Sequence, residues 1–241
     1  MKLLQTIVSS SGFRESDHNP LRVEALKQVL KVASSFSTDL LLLPGGYFAA
    51  EDERQSVSIV EEMDHLAKRS KVSLVFGIDL PASPSGKGTR HPVLPYFGSV
   101  CGLTTAGPWK QTSDTSTNAD DVADEDVPSL ARVVEVAGKQ IGVLLCGELY
   151  SRWARRSFAE LKLDLTVDLG HAGMGQGLIP AMKSFARYGG CAVAHSQHVS
   201  PPGNASLHFV NRRGTSQPVP ISNCDYFGDD EFWIAWRLRE V

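Results

Sequence analysis

The chain has 241 residues, 42% hydrophobic and 21% charged, with a formal net charge of −3 at pH 7. Those proportions are typical of globular domains and exclude a disordered chain, a collagen-like repeat and a coiled coil. With 24 basic against 27 acidic residues, there is no basic field to hold a polyanion, so nucleic acid is not an expected partner.

The opening MKLLQTIVSSSGF is broken by serines and too short for the apolar region of a signal peptide. No later segment approaches the ~18 apolar residues of a membrane span. Cys101, Cys146, Cys191 and Cys224 are widely spaced and form no CxxC pair for zinc or redox work. The expectation is a reduced, soluble, cytoplasmic protein.

Along the chain, apolar runs bounded by turn residues alternate with helical patterns. Leu3 to Val8 reads as a strand, and Asn19 or Pro20 opens a helix with Val23, Leu26, Leu30 and Ala33 at helical spacing. Asp39 to Pro44 is a continuous apolar run, as in a strand buried on both faces. A helix follows over Val57 to Ser70, then a strand over Val72 to Ile78. Pro81 to Pro95 reads as an excursion rich in Pro, Gly and Ser, and Tyr96 to Leu103 as a strand. Gln111 to Asp126 is nearly devoid of apolar residues and reads as an acidic loop. Arg132 to Val136 and Gln140 to Leu145 form a hairpin pattern with Gly138 in the turn. A helix from Ser151, a strand Leu163 to Leu169, a helix Leu178 to Tyr188, a strand Cys191 to Ser196 and strand-like pieces after Ala205 complete the pattern. No linker separates two cores, so residues 1–241 are expected to form one α/β domain.

Alternating strands and helices imply a mostly parallel central structure with ligands near the carboxyl ends of the strands. Three segments lie there: Pro44-Gly45-Gly46, Cys146-Gly147-Glu148, and Gly170-His171 onward. Cys146 closes an apolar strand beside a flexible glycine and a carboxylate, where a nucleophilic thiolate would be exposed. A buried packing cysteine is the competing reading. The glycines of 170–177 do not fit GxGxxG and no Gly-Lys-Ser/Thr follows, so a phosphate loop is not indicated. His195 and His198, three apart, would face opposite sides of a strand; no metal and no organic cofactor are assigned.

These segments resemble the carbon–nitrogen hydrolase, or nitrilase, superfamily nearly end to end. Asn19, the run Thr38 to Pro44, the block Gly138 to Glu148 ending in the cysteine, Asp164 to Asp168, Met182 to Arg187 and Cys191 to Gln197 follow the family's order. The resemblance implies a four-layer α-β-β-α sandwich and a Glu–Lys–Cys triad acting on a small amide or a nitrile through a thioester. By its position, Cys146 would be the nucleophile and Lys110 the oxyanion-stabilising cation. The family's glutamate position is held by Gly45, which has no side chain. Glu148 is the nearest substitute base in sequence, with Glu51, Glu53, Asp120, Asp121 and Glu125 as further carboxylates; Gly45→Glu would return the family's carboxylate. Gly45, Gly46, Tyr47 and His171 are the expected substrate-binding positions. The resemblance also implies a homodimer through the helical layer, and the tail Phe232 to Trp236 offers apolar surface for it. Two other readings stay open: a catalytically impaired relative that binds a small ligand or a partner chain, and, less favoured, a class I glutamine amidotransferase-like domain.

Overall fold

The computed structural model describes residues 1–11, 14–80, 96–111, 132–171, 175–199, 205–229 and 231–241. Most of the expected excursion at 81–95 and acidic loop at 111–126 lies outside them. The described elements are β1 (Lys2–Ser10), α1 (Asn19–Ser35), β2 (Leu40–Leu42), β3 (Phe48–Ala49), α2 (Glu53–Ser70), β4 (Ser73–Asp79), β5 (Tyr96–Cys101) and β6 (Ala106–Lys110). Then follow β7 (Val133–Val136), β8 (Lys139–Leu145), α3 (Arg152–Ala159), β9 (Leu165–Leu169), α4 (Leu178–Gly189), β10 (Ala192–Ser196), β11 (Ser206–Val210), β12 (Val219–Pro220), β13 (Asp225–Gly228) and β14 (Phe232–Glu240).

Among the described residues the strands form two mixed sheets. One runs β13-β14-β1-β2-β4-β5-β6, with β3 beside β4; the other runs β12-β11-β10-β9-β8-β7. The expected parallel pairing holds at the centres, β1-β2-β4 and β8-β9-β10. The margins are antiparallel because hairpins and the returning tail supply them. Three apolar layers bind the sandwich. Alternation along β1 sends Leu4 and Val8 to the α1/α2 side, while Leu3 meets Val143, Leu165 and Val167 between the sheets. On the far side Phe158 of α3 and Phe185 of α4 cover Leu144 and Val193. Each such fully buried side chain contributes roughly 1.5–3 kcal/mol. The architecture is the expected four-layer α/β sandwich.

Local chemistry sets the element ends. Asp52 caps α2 by accepting the Gln55 N–H at 2.8 Å, so the helix starts before the expected Val57. Ala137 (φ 50°) and Gly138 (φ 72°) turn the β7–β8 hairpin in the left-handed conformation both of its central positions require. The tail expected to seek a partner is instead β14, paired along β1 from Lys2–Glu240 to Ser10–Phe232, with Phe232, Ile234, Ala235 and Trp236 buried. It therefore gives no argument for a homodimer. No described helix is long and apolar enough to cross a membrane.

The two sheets are joined at the middle of β1 and just after β2. Gln5 Nε2 donates to the carbonyls of His195 (2.7 Å) and His208 (2.8 Å), and His198 Nε2 donates to the Gly46 carbonyl at 3.1 Å. Burial lowers the pKa of His198 well below, and that of His208 to about 4 from, the ordinary 6.5. An unfolded chain takes up these protons near pH 6.5 and the folded chain resists, so stability falls as the pH drops from 6.5 towards 4. Melting temperature followed over that range should fall less steeply in His208→Gln than in the wild type; parallel curves would remove His208 from the account.

Candidate active site

β8 ends at Leu145, and Cys146 follows in the left-handed region, φ 50°, opening a 3-10 turn over Cys146–Tyr150. A side chain bearing a β-carbon is strained there, and such strain persists where the surroundings over-determine it. Glu148 is the determinant. It is completely buried, and its Oε2 accepts the Leu145 N–H at 2.9 Å and pairs with Arg132 Nη1. Arg132 also donates from Nη2 to the Lys110 carbonyl at 2.6 Å, tying β6 to the turn. The geometry corrects the reading of Glu148 as the substitute base: its carboxylate holds the turn from behind.

The sulfur of Cys146 is met by the backbone N–H groups of His171 and Gly147. Burial, and then the carboxylates of Asp168 and Asp79, push its thiol up to about 12. This reverses the expectation of an exposed thiolate at the strand end. The Lys110 ammonium is 64% exposed and lies 3.4 Å from Glu53 Oε1. Behind Cys146, Asp168 accepts its backbone N–H and pairs through Oδ2 with His195 Nδ1 at 2.6 Å. His195 thus turns to β9, while the His198 ring stands 6.3 Å from that of His171.

Beside His171 lies Asp79, which closes β4. Its Oδ2 is 2.7 Å from His171 Nε2 and 3.7 Å from Arg14 Nε. Arg14 Nη2 lies 3.2 Å from His171 Nδ1; a guanidinium only donates, so Nδ1 accepts and Nε2–H donates to Asp79. The glycines after β2 border this carboxylate: a β-carbon on Gly46, at φ +62°, would stand 2.7 Å from Asp79 Oδ2. Gly45 is pressed between the sheets, its N–H donating to the Gly170 carbonyl at 3.0 Å. Its own β-carbon would fall 2.6 Å from the Leu169 carbonyl oxygen, and one on Gly77 2.7 Å from the Gly45 Cα.

The structure therefore gathers Cys146, Gly45, Gly46 and His171. Tyr47 points elsewhere: it is buried, its hydroxyl donating to the Arg22 carbonyl at 2.8 Å beneath α1, which corrects its assignment to the substrate site. Glu51 is exposed on the surface, and Asp120, Asp121 and Glu125 lie outside the described residues. Asp79 and Arg14 were missed. A strand drawn to Ile78 stops one residue short of the carboxylate at its carboxyl end, the one available signal. Among the described residues no group of three or more His, Cys, Asp or Glu could hold a metal ion.

No protein-family model matches the sequence, and no curated protein does. Solved structures do match. A mutant of the amidase from Nesterenkonia sp. AN1, carrying the acetamide moiety of fluoroacetamide on its active-site cysteine, superposes with a TM-score of 0.69 at 15% identity, over 98% of this chain and 90% of that one. Another mutant of that amidase, described as from the nitrilase superfamily, gives 0.70 at 14% identity over 98% and 90%. A mutant complex with butyramide gives 0.68 at 14% over the same shares. The chain thus has the fold of a nitrilase-superfamily amidase.

Two stability measurements test this geometry. Glu148→Ala leaves the Arg132 charge buried without its partner, a loss of about 3–5 kcal/mol, or on the order of 10 °C in melting temperature for a chain of this size. An unchanged melting temperature would refute the holding role. Gly45→Glu, which would have returned the family's base, instead drives a side chain into the Leu169 carbonyl. It should lower the melting temperature by several degrees, from an overpacking cost of about 1–3 kcal/mol or more, with no gain in amide turnover; a stable, more active variant would contradict the close approach.

Proposed function

We infer that the protein hydrolyses a non-peptide carbon–nitrogen bond in a small amide, through a thioester on Cys146. The observation that carries this reading is the strained Cys146 at the strand end with two backbone N–H groups aimed at its sulfur, in a fold shared with amidases that use a cysteine. Strained turns of this kind present a nucleophile to substrate while packing holds the rest of the turn still. The same N–H groups are placed to bind an oxygen that becomes negative as the carbonyl carbon turns tetrahedral.

Lys110 is the cation assigned to that oxyanion. Its ammonium now lies beside Glu53, and that well-exposed pair is worth no more than about 1 kcal/mol. The tie from Arg132 to the Lys110 carbonyl keeps the strand end beside the cysteine turn. With the thiol pushed up to about 12, attack at neutral pH requires a base at the moment the sulfur–carbon bond forms.

Fluoroacetamide and short amides such as butyramide are the reagents to use, since the fold-mate binds them. Intact mass and peptide mapping should show one adduct, on Cys146, and ammonia release from short amides should fall by on the order of 10³-fold or more in Cys146→Ala. Lys110→Met should lower kcat by about 10²–10³-fold, with Glu53→Gln no slower than wild type. Binding of butyramide without adduct or ammonia would mean that the fold serves here as a binding module.

A further inference from the structure

We propose that Asp79 is the residue that moves the proton in this site: the carboxylate arrives from the end of β4, not from the loop after β2. The inference rests on the amide-hydrolysis reading above and supplies the base which that reading leaves unassigned.

Three observations carry it. The Asp79 side chain is 4% exposed, and its Oδ1 is buried without a hydrogen-bond partner while Oδ2 is held by His171. A buried carboxylate oxygen left unpaired is costly, and a catalytic role is one of the explanations that such a group calls for. Next, the chain makes room for it: only glycine at 46 leaves the carboxylate its place, since a β-carbon there would lie 2.7–2.8 Å from three of its atoms. Finally, the carboxylate and the thiol are joined through one residue. His171 places its backbone N–H on the Cys146 sulfur and its ring N–H on Asp79, and the charge of Asp79 is felt at the thiol.

Asp168 also has an unpaired buried oxygen. It lies behind the turn, however, accepting the Cys146 backbone N–H and pairing with His195. Asp79 instead lies across His171 from the thiol, beside half-exposed Arg14. Among the described residues Arg14, Arg22 and His171 are the cationic or protonatable groups that face it, and the Cys146 thiol the acidic one. Arg14 and His171 act as positioning residues that fix Oδ2 and leave Oδ1 to react.

The proton balance closes on one carboxylate. Asp79 takes the thiol proton as sulfur bonds to the amide carbon, then gives it to the nitrogen as the C–N bond breaks and ammonia leaves. A water attacks the thioester, losing a proton to Asp79; collapse expels the Cys146 thiolate, which recovers that proton as the carboxylic acid departs.

The test is the rate of Cys146 alkylation by iodoacetamide, read by peptide mapping between pH 5 and 9, on wild type, Asp79→Asn and Asp79→Glu. It needs no amide turnover, so it stands or falls apart from the amidase reading. If Asp79 is the base, the wild-type rate does not climb tenfold per pH unit across this range. Asp79→Asn then slows alkylation at pH 7 by about 10²-fold or more, with partial recovery in Asp79→Glu. If Asp79 is a spectator, its negative charge only raises the thiol pKa. Asp79→Asn then alkylates faster than wild type, and the wild-type rate climbs about tenfold per pH unit throughout, which overturns the proposal. If Asp79→Asn fails to fold, a climbing wild-type profile still overturns the proposal, and a profile that does not climb supports it only if Asp79→Glu is slowed while folded. Should short amides be turned over, unchanged kcat/KM in Asp79→Asn would equally overturn it while leaving the amidase reading intact.

Discussion

The site depends on one buried ion pair. Glu148 and Arg132 are withdrawn from water together, and a carboxylate so placed is tolerable only because it accepts a guanidinium and a backbone N–H at once. In return the pair fixes three things: the reach of Glu148 back to Leu145 N–H closes the first turn after β8, that closure holds Cys146 at φ 50°, and the second arm of Arg132 anchors the end of β6. A residue two positions from Cys146 thus shapes the turn from its buried side.

A second constraint follows from the closeness of the sheets at their joined end. Gly45 sits between the β4 backbone at Gly77 and the β9 carbonyl of Leu169, both at distances that exclude a β-carbon. A glutamate after β2 and this inter-sheet spacing are mutually exclusive. The double glycine is therefore more than the loss of a side chain: it admits the Asp79 carboxylate, with His171 and Arg14 converging on its Oδ2. Charge absent from one strand end is present at the next.

Much of the fold was legible in the sequence because apolar periodicity and strand-end punctuation are local signals. The run at Leu40–Leu42, the turn at Gly138 and the helix from Asn19 stand where their patterns put them. β6 escaped notice because Ala106–Lys110 carries a glycine and a proline and only a half-buried face. The tail was misjudged because an aromatic stretch reads alike whether it covers a partner or completes a sheet; the pairing of residues 240 and 2 is invisible until the chain is folded. Cys146, Gly45 and His171 could be found because strand ends are where ligands bind. The parts of Glu148 and Asp79 could not be told apart by sequence distance. Glu148 lies two residues from the cysteine and turns inward, while Asp79 reaches the site only through the register of β4 against β2.

The most direct test of a thioester chemistry on Cys146 is acyl capture: butyramide is supplied together with hydroxylamine, and butyrohydroxamate is measured alongside the acyl content of the Cys146 peptide after acid quench. The account predicts hydroxamate at the expense of butyric acid, with a butyryl group on Cys146 and on no other cysteine. Absence of both hydroxamate and acyl-cysteine, in a protein that still binds butyramide, would contradict it.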